Sequence, residues 1–273
     1  MKQKSVIING LLTPADKANL LVTDLAIQRG YGIFDFLKTQ GNRPIFLDDH
    51  LDRFYQSAAH MRLPVEQSRA ELKDMIIALL RQNKVADSGI RLTLTGGYAT
   101  DGFNIGKPNL IITQQPLPAA KDAKGTRLVT YEYQRQFPQA KTIDYTQAIW
   151  LQPFIKENKS DDVLYHQNGI VTECPRANFF LVTANDELIT TPENILRGVI
   201  RKKILQLAKG RITIKEKNIQ LADLQQAKEA FITSTTKNVL AVTQINNRHI
   251  SKGGSGEITQ WLSGELKELI AAE

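Results

Sequence analysis

The chain opens on a short apolar run, Ser5-Val6-Ile7-Ile8, that stops at Asn9-Gly10, a dipeptide suited to a tight hairpin turn. A second hairpin is predicted where Ile33 to Lys38 and Arg43 to Leu47 flank the turn residues Gln40-Gly41-Asn42. The period then changes. Leu51, Phe54, Tyr55, Ala58 and Met61 recur three and four apart and predict an amphipathic helix, with Asp48 or Asp49 as its cap. Another helix is expected from Ser68 to Gln82. Ile90 to Thr95 alternates strictly, with Ile90, Leu92 and Leu94 on one face and Arg91, Thr93 and Thr95 on the other, as in a half-buried strand. Asn109 to Thr113 is its expected neighbour.

Proline and small polar residues replace the pattern at 116–125, which predicts a linker there. Beyond it the chain restarts as strand 127–134, helix 143–157, a hairpin between Val163 and Val182, helix 198–208, strand 212–217, helix 221–227 and strand 229–233. Strands and helices mix with hairpins in both halves. The expected fold class is α+β in two domains, a small N-terminal one over 1–115 and a larger one over 126–273.

Composition narrows the reading. At 273 residues, with 42% hydrophobic and 23% charged, the chain can build a full core, and disorder, collagen and coiled coil are excluded. Its longest purely apolar run, Met75 to Leu80, is far short of the roughly 20 residues of a membrane span. The single cysteine, Cys174, allows no intrachain disulfide, and a reducing, cytoplasmic compartment is expected. Four scattered histidines show no zinc spacing, so no metal site is predicted. The net charge, 35 − 28 = +7, is spread without interleaved aromatics, which favours an anionic small-molecule site over nucleic acid or membrane.

Four pieces carry candidate chemistry. Arg53 sits one turn into the first long helix. Gly198 precedes Val199-Ile200-Arg201 at a helix start, where free backbone N–H groups can meet an anion. The hydroxyl run Thr233-Ser234-Thr235-Thr236 follows an apolar strand and suits a phosphate cradle or an ordinary turn. Lys141 stands before an apolar segment. A lysine that attacks a carbonyl must be neutral to do so, which requires desolvation.

Taken together, Arg29-Gly30-Tyr31-Gly32-Ile33-Phe34-Asp35, His50-Leu51-x-Arg53 with Ser57-Ala58, Gly169 to Glu173 with Asn178-Phe179-Phe180, Leu196-x-Gly198-Val199 and Thr233 to Thr236 form an ordered series over nearly the whole chain. That series closely resembles the fold-type IV pyridoxal-phosphate enzymes: branched-chain aminotransferases, D-amino acid transaminases and aminodeoxychorismate lyases. The resemblance implies pyridoxal 5'-phosphate as cofactor, held in a cleft between two domains of a homodimer. It implies that Lys141 carries the cofactor and moves the substrate α-proton, and that Glu173 pairs with the ring nitrogen, keeping the ring cationic. It assigns the phosphate to Arg53, the amides of Val199 and Ile200, Thr235 and Thr236. It places Leu196 on the ring face and Tyr145 near the phenolic oxygen. Two positions depart from the family pattern: Asp144 stands where asparagine is common, and Ile200 where threonine is common.

The substrate is less determined. At the position where D-amino acid transaminases carry a carboxylate-binding arginine this chain has Thr95, while Arg91 lies four residues upstream on the same strand face. Arg29, Tyr31 and Arg91 are the expected substrate-binding residues, with Arg29 and Arg91 forming a relocated carboxylate trap. The expected reaction is ping-pong amino transfer between a D-amino acid and a 2-oxo acid such as 2-oxoglutarate. A branched-chain L-amino acid aminotransferase and an aminodeoxychorismate lyase are the alternatives.

Overall fold

A computed structural model describes residues 4–117 and 125–273, with Lys252 described by its backbone alone. Its contacts divide the chain into two units, Met1–Ala119 with Ala140–Asp144, and Ala120–Gln139 with Tyr145–Glu273. Most of the expected linker, residues 118–124, lies outside the described residues.

The first unit contains β1 (Ser5–Ile8), β2 (Leu11–Pro14), α1 (Leu25–Arg29), β3 (Gly32–Gln40), β4 (Arg43–Pro44), α2 (Leu47–His60), α3 (Arg69–Asn83), β5 (Ser88–Thr95) and β6 (Leu110–Pro116). The strands form one sheet in the order β2-β1-β6-β5-β3-β4. One face carries Ile7, Ile33, Leu37, Ile90, Leu92, Leu94 and Ile112 into a core with Leu51, Phe54, Leu72, Ile76 and Leu79 of α2 and α3. Period-two alternation turns Phe34, Phe36, Arg91 and Thr93 to the other face, because Phe34 pairs with Thr93 and Phe36 with Arg91. The Ala140–Asp144 segment joins this unit by pairing along β3: the Phe34 amide donates to the Lys141 carbonyl and the Ile143 amide to the Gly32 carbonyl.

Two local expectations need correcting here. α2 starts at Phe46, which is in the left-handed region (φ 53°) and makes no side-chain cap, so Asp48 and Asp49 lie in the first turn instead. There they complement the helix dipole. The second strand of the β3 hairpin is only Arg43–Pro44, since Pro44 lacks the N–H a longer ladder requires. By contrast, α3 begins with a full capping box, in which Ser68 and Glu71 satisfy each other's backbone amides.

The second unit contains β7 (Thr126–Glu132), α4 (Thr146–Trp150), α5 (Gln152–Glu157), β8 (Asp162–Gln167), β9 (Ile170–Val171), β10 (Glu173–Cys174), β11 (Ala177–Val182), β12 (Leu188–Thr190), α6 (Val199–Ala208), β13 (Ile214–Glu216), β14 (Ile219–Gln220), β15 (Glu229–Ser234), β16 (Asn238–Ile245), β17 (Arg248–His249) and α7 (Glu257–Ala272). The expected helix 143–157 is two short helices. Pro153 sits at the start of α5, where its missing N–H is tolerated but cannot continue the preceding helix. The expected helix 221–227 is a single 3₁₀ turn, Asp223–Gln226. The Val163–Val182 segment is two pairings, β8 with β9 and β10 with β11, not one hairpin.

Alternation along β11 and β15 sorts this unit's core. Phe179, Leu181, Ala230 and Ile232 belong to a cluster with Leu128, Leu164 and Val242. Phe180 and Phe231, register partners on the opposite face, stack with centroids 4.8 Å apart. On that same face lie Asn178 and Thr233 at one end and Glu229 at the other. Both α6 and α7 pack against β15.

Candidate active site

In the first unit Asp35 breaks the apolar alternation of β3, sharing the core face with Ile33 and Leu37. It is fully buried, and α2 supplies its partners. Arg53 donates from Nε to Oδ2 at 2.7 Å and from Nη2 to Oδ1 at 2.8 Å, while His50 Nδ1 lies 2.7 Å from Oδ1. Burial alone would raise the Asp35 pKa. The charges and hydrogen bonds of Arg53 and His50 outweigh it and hold the carboxyl well below the usual range. His50 is shifted down, chiefly by its own burial, which favours the neutral ring. Arg53 is thus one turn into α2, as expected, but buried and oriented by a carboxylate that the residue pattern alone did not single out.

Lys141 enters the same neighbourhood through its backbone, whose amide donates to Ser57 Oγ at 3.1 Å, one helical turn beyond Arg53. Its Nζ lies 4.6 Å from the Phe34 ring centroid, and the Arg91 guanidinium lies 3.7 Å from the same centroid. Both distances are within cation–π reach. Two like charges at one ring raise the local positive potential, which favours an anion there. Tyr31 is half-buried and donates from its hydroxyl to the Met61 carbonyl at 2.6 Å. Arg29 is exposed at the end of α1 and donates to the Gln28 carbonyl.

In the second unit the expected residues converge by strand register. Glu173 pairs with Asn178, and Asn178 with Thr233, so the three lie in a row across β10, β11 and β15. Glu173 Oε2 accepts the Leu196 N–H at 3.0 Å, and Asn178 Nδ2 donates to the Leu196 carbonyl at 2.7 Å. Leu196 is therefore fixed from both backbone sides. Two residues later Gly198 is the N-cap of α6, with no side-chain cap, leaving the first-turn amides of Val199 and Ile200 open. A Cβ at Gly198 would collide with Asn178 Oδ1, so only glycine permits this close approach. The side chain of Ile200 is buried in the core; its amide is what α6 can offer. Thr233 Oγ1 is buried without a partner in the same row as Asn178. Thr235 and Thr236 form the turn between β15 and β16, half-buried and exposed respectively. Tyr145 precedes α4 and is half-buried.

Arg135 escaped the sequence reading. It donates from Nε and Nη2 to Glu173 Oε1 at 3.0 and 2.9 Å. Nothing in periodicity marks it, because it lies in a loop and its partner is 38 residues away.

An uncapped helix start, an orphaned buried hydroxyl and a buried carboxylate held by fixed donors fit a phosphorylated, nitrogen-bearing ring. This fold and these motifs define a fold-type IV pyridoxal-phosphate enzyme. The class IV aminotransferase model matches residues 32–245, well over half of the chain, and the chain belongs to that family, whose members depend on pyridoxal phosphate. A Methanocaldococcus jannaschii protein, provisionally assigned as a branched-chain-amino-acid aminotransferase, is 29% identical over 97% of this chain and 96% of its own. The D-alanine aminotransferase of Bacillus licheniformis is 27% identical over 98% of each. The fold matches the branched-chain amino acid aminotransferase of Escherichia coli at a TM-score of 0.90, with 22% identity over 98% of this chain and 95% of that one.

Proposed function

We propose that this aminotransferase moves the amino group between a D-amino acid and a 2-oxo acid such as 2-oxoglutarate. The observation that carries this reading is the shared Phe34 ring, which brings the Arg91 guanidinium and Lys141 Nζ to one surface. A guanidinium is the side chain suited to grip a substrate carboxylate, and it stands here beside the residue that moves the α-proton. The D-alanine aminotransferase relative supports the same choice.

When bound, pyridoxal phosphate supplies the carbonyl that receives the amino group and a ring that takes up electrons as the α-proton leaves. The chain's residues do the rest. By the family resemblance, Arg53, the amides of Val199 and Ile200, and the hydroxyls of Thr235 and Thr236 would hold the phosphate. Glu173 would accept from the ring nitrogen, Leu196 would pack on the ring, and Tyr145 would donate near its phenolic oxygen. Lys141 Nζ takes the α-proton and returns it. Arg29, Tyr31 and Arg91 orient the substrate. We read the working unit as a cytoplasmic homodimer, a pairing that would cover the exposed Val22 and Phe103. Sedimentation velocity checks the pairing: a dimer is expected, and a monomer would remove it.

The test of the reaction is a half-reaction. Holoenzyme is mixed separately with D-alanine, D-glutamate, L-glutamate and L-leucine, and the bound cofactor's visible absorbance is followed. Loss with D-amino acids alone is expected. Loss with L-leucine and L-glutamate instead would make it a branched-chain enzyme, the reading that the Methanocaldococcus relative favours. No loss with any would favour the lyase.

A further inference from the structure

The carboxylate of Glu173 is only 6% exposed, and each of its oxygens has protein donors. Oε1 accepts two N–H groups of Arg135, and Oε2 accepts the Leu196 amide and, at 3.3 Å, Asn178 Nδ2. Arg135 is itself anchored: Nη2 also donates to the Pro138 carbonyl at 2.6 Å. Pro138 stands three residues before Lys141 in the chain. A buried carboxylate without a cation tends to take up a proton and become neutral. A neutral Glu173 could no longer balance a protonated ring nitrogen. Arginine stays charged at every working pH, and its planar fork can reach Glu173 and Pro138 together, which a lysine's single ammonium spans less well.

We infer that Arg135 is a positioning residue, which holds Glu173 ionised and fixed in orientation so that the carboxylate keeps the cofactor ring nitrogen protonated. This rests on the assignment of Glu173 to the ring nitrogen. Arg135 acts through Glu173 and need not touch the cofactor.

The experiment titrates apoprotein with pyridoxal phosphate and records the bound cofactor's visible absorbance against pH. Wild type, Arg135→Met and Arg135→Lys are compared, with circular dichroism and melting temperature confirming the fold. Arg135→Met is expected to bind the cofactor about tenfold more weakly or worse, as when one partner of a buried pair is removed. The pH at which its absorbance changes should rise by about one unit, because a ring that loses its proton no longer repels protonation at the lysine-linked nitrogen. Arg135→Lys should fall between the two. In a Glu173→Gln background, Arg135→Met should add little to either change. Unchanged affinity and pH midpoint in a folded Arg135→Met, or equal losses with and without Glu173, would overturn the inference while leaving the transaminase reading intact. A wild-type protein that takes up no pyridoxal phosphate would overturn both. Should Arg135→Met fail to fold, Arg135→Lys with wild-type affinity and midpoint would overturn it equally.

Discussion

Arg53 and Asp35 meet through two parallel hydrogen bonds of 2.7 and 2.8 Å inside the first unit, with the carboxylate 1% and the guanidinium 10% exposed. The pair joins α2 to β3 and fixes the direction of a cation whose proposed task is to hold phosphate. Removing one partner of such a pair strands the other's charge. Asp35→Ala should therefore cost about 3–5 kcal/mol of stability. Asp35→Leu combined with Arg53→Met should recover much of that loss while abolishing tight cofactor binding. Urea unfolding of the three proteins checks this; a loss below about 1 kcal/mol for Asp35→Ala would mean that the guanidinium finds solvent.

His50 makes the same cluster sensitive to acid. Burial lowers its pKa below 6.5, so the folded state keeps the ring neutral where the unfolded chain has begun to protonate. The unfolded state then binds more protons, and stability must fall as pH drops below about 6.5. The depressed Asp35 carboxyl adds a further loss below about pH 4, where the unfolded carboxylate protonates first. His50→Gln should flatten the upper part of this dependence, read as the slope of unfolding free energy between about pH 7 and 5. A slope equal to wild type would assign the sensitivity elsewhere.

The C-terminal helix depends on a carboxylate from a distant strand. Glu229, buried on β15, accepts the amides of Ile258 and Thr259 at 3.1 and 2.8 Å and the Thr259 hydroxyl at 2.8 Å. It serves as the cap that Gly256 cannot supply. Glu229→Ala should cost about 1–3 kcal/mol and speed amide exchange in the first turn of α7 before the rest of the unit opens. Gly256→Ala should act in the same direction, because its Cβ would meet the Glu229 side chain.

Arg91→Ala separates the substrate reading from a structural one. A residue that grips a carboxylate equally in ground and transition states raises KM and leaves kcat unchanged. The expected result is at least about a tenfold rise in KM for dicarboxylate substrates, the usual scale of a lost charged hydrogen bond. An unchanged KM would remove Arg91 from the substrate site.

What was legible in the chain followed local rules. Apolar residues three and four apart announced α3, and the alternation from Ile90 to Thr95 assigned each side chain of β5 to its face. Asp35, between Ile33 and Leu37 on the core face of β3, went unread, because its place there shows only once the strand packs against α2. Where tertiary contacts decide, the pattern failed. Phe46 adopts a left-handed conformation while buried in the core, displacing the aspartate caps. α7 and β16 went unrecognised, though α7's buried Leu262, Leu266 and Ile270 sit four apart. Arg135 is a loop residue whose role exists only through Glu173.

The return of Ala140–Asp144 to the first unit has a consequence for how this protein can be cut or recombined. The chain leaves that unit before residue 120, comes back for one short extended segment and leaves again. Severing it at the 116–125 segment would not yield two complete modules. The N-terminal fragment would carry an open stretch of β3 at Gly32 to Phe34, an unpaired sheet edge prone to capture another chain. The C-terminal fragment would keep Lys141 but lose the strand that fixes its backbone. Expressed together, the two fragments should complement each other. Expressed apart, the first should aggregate.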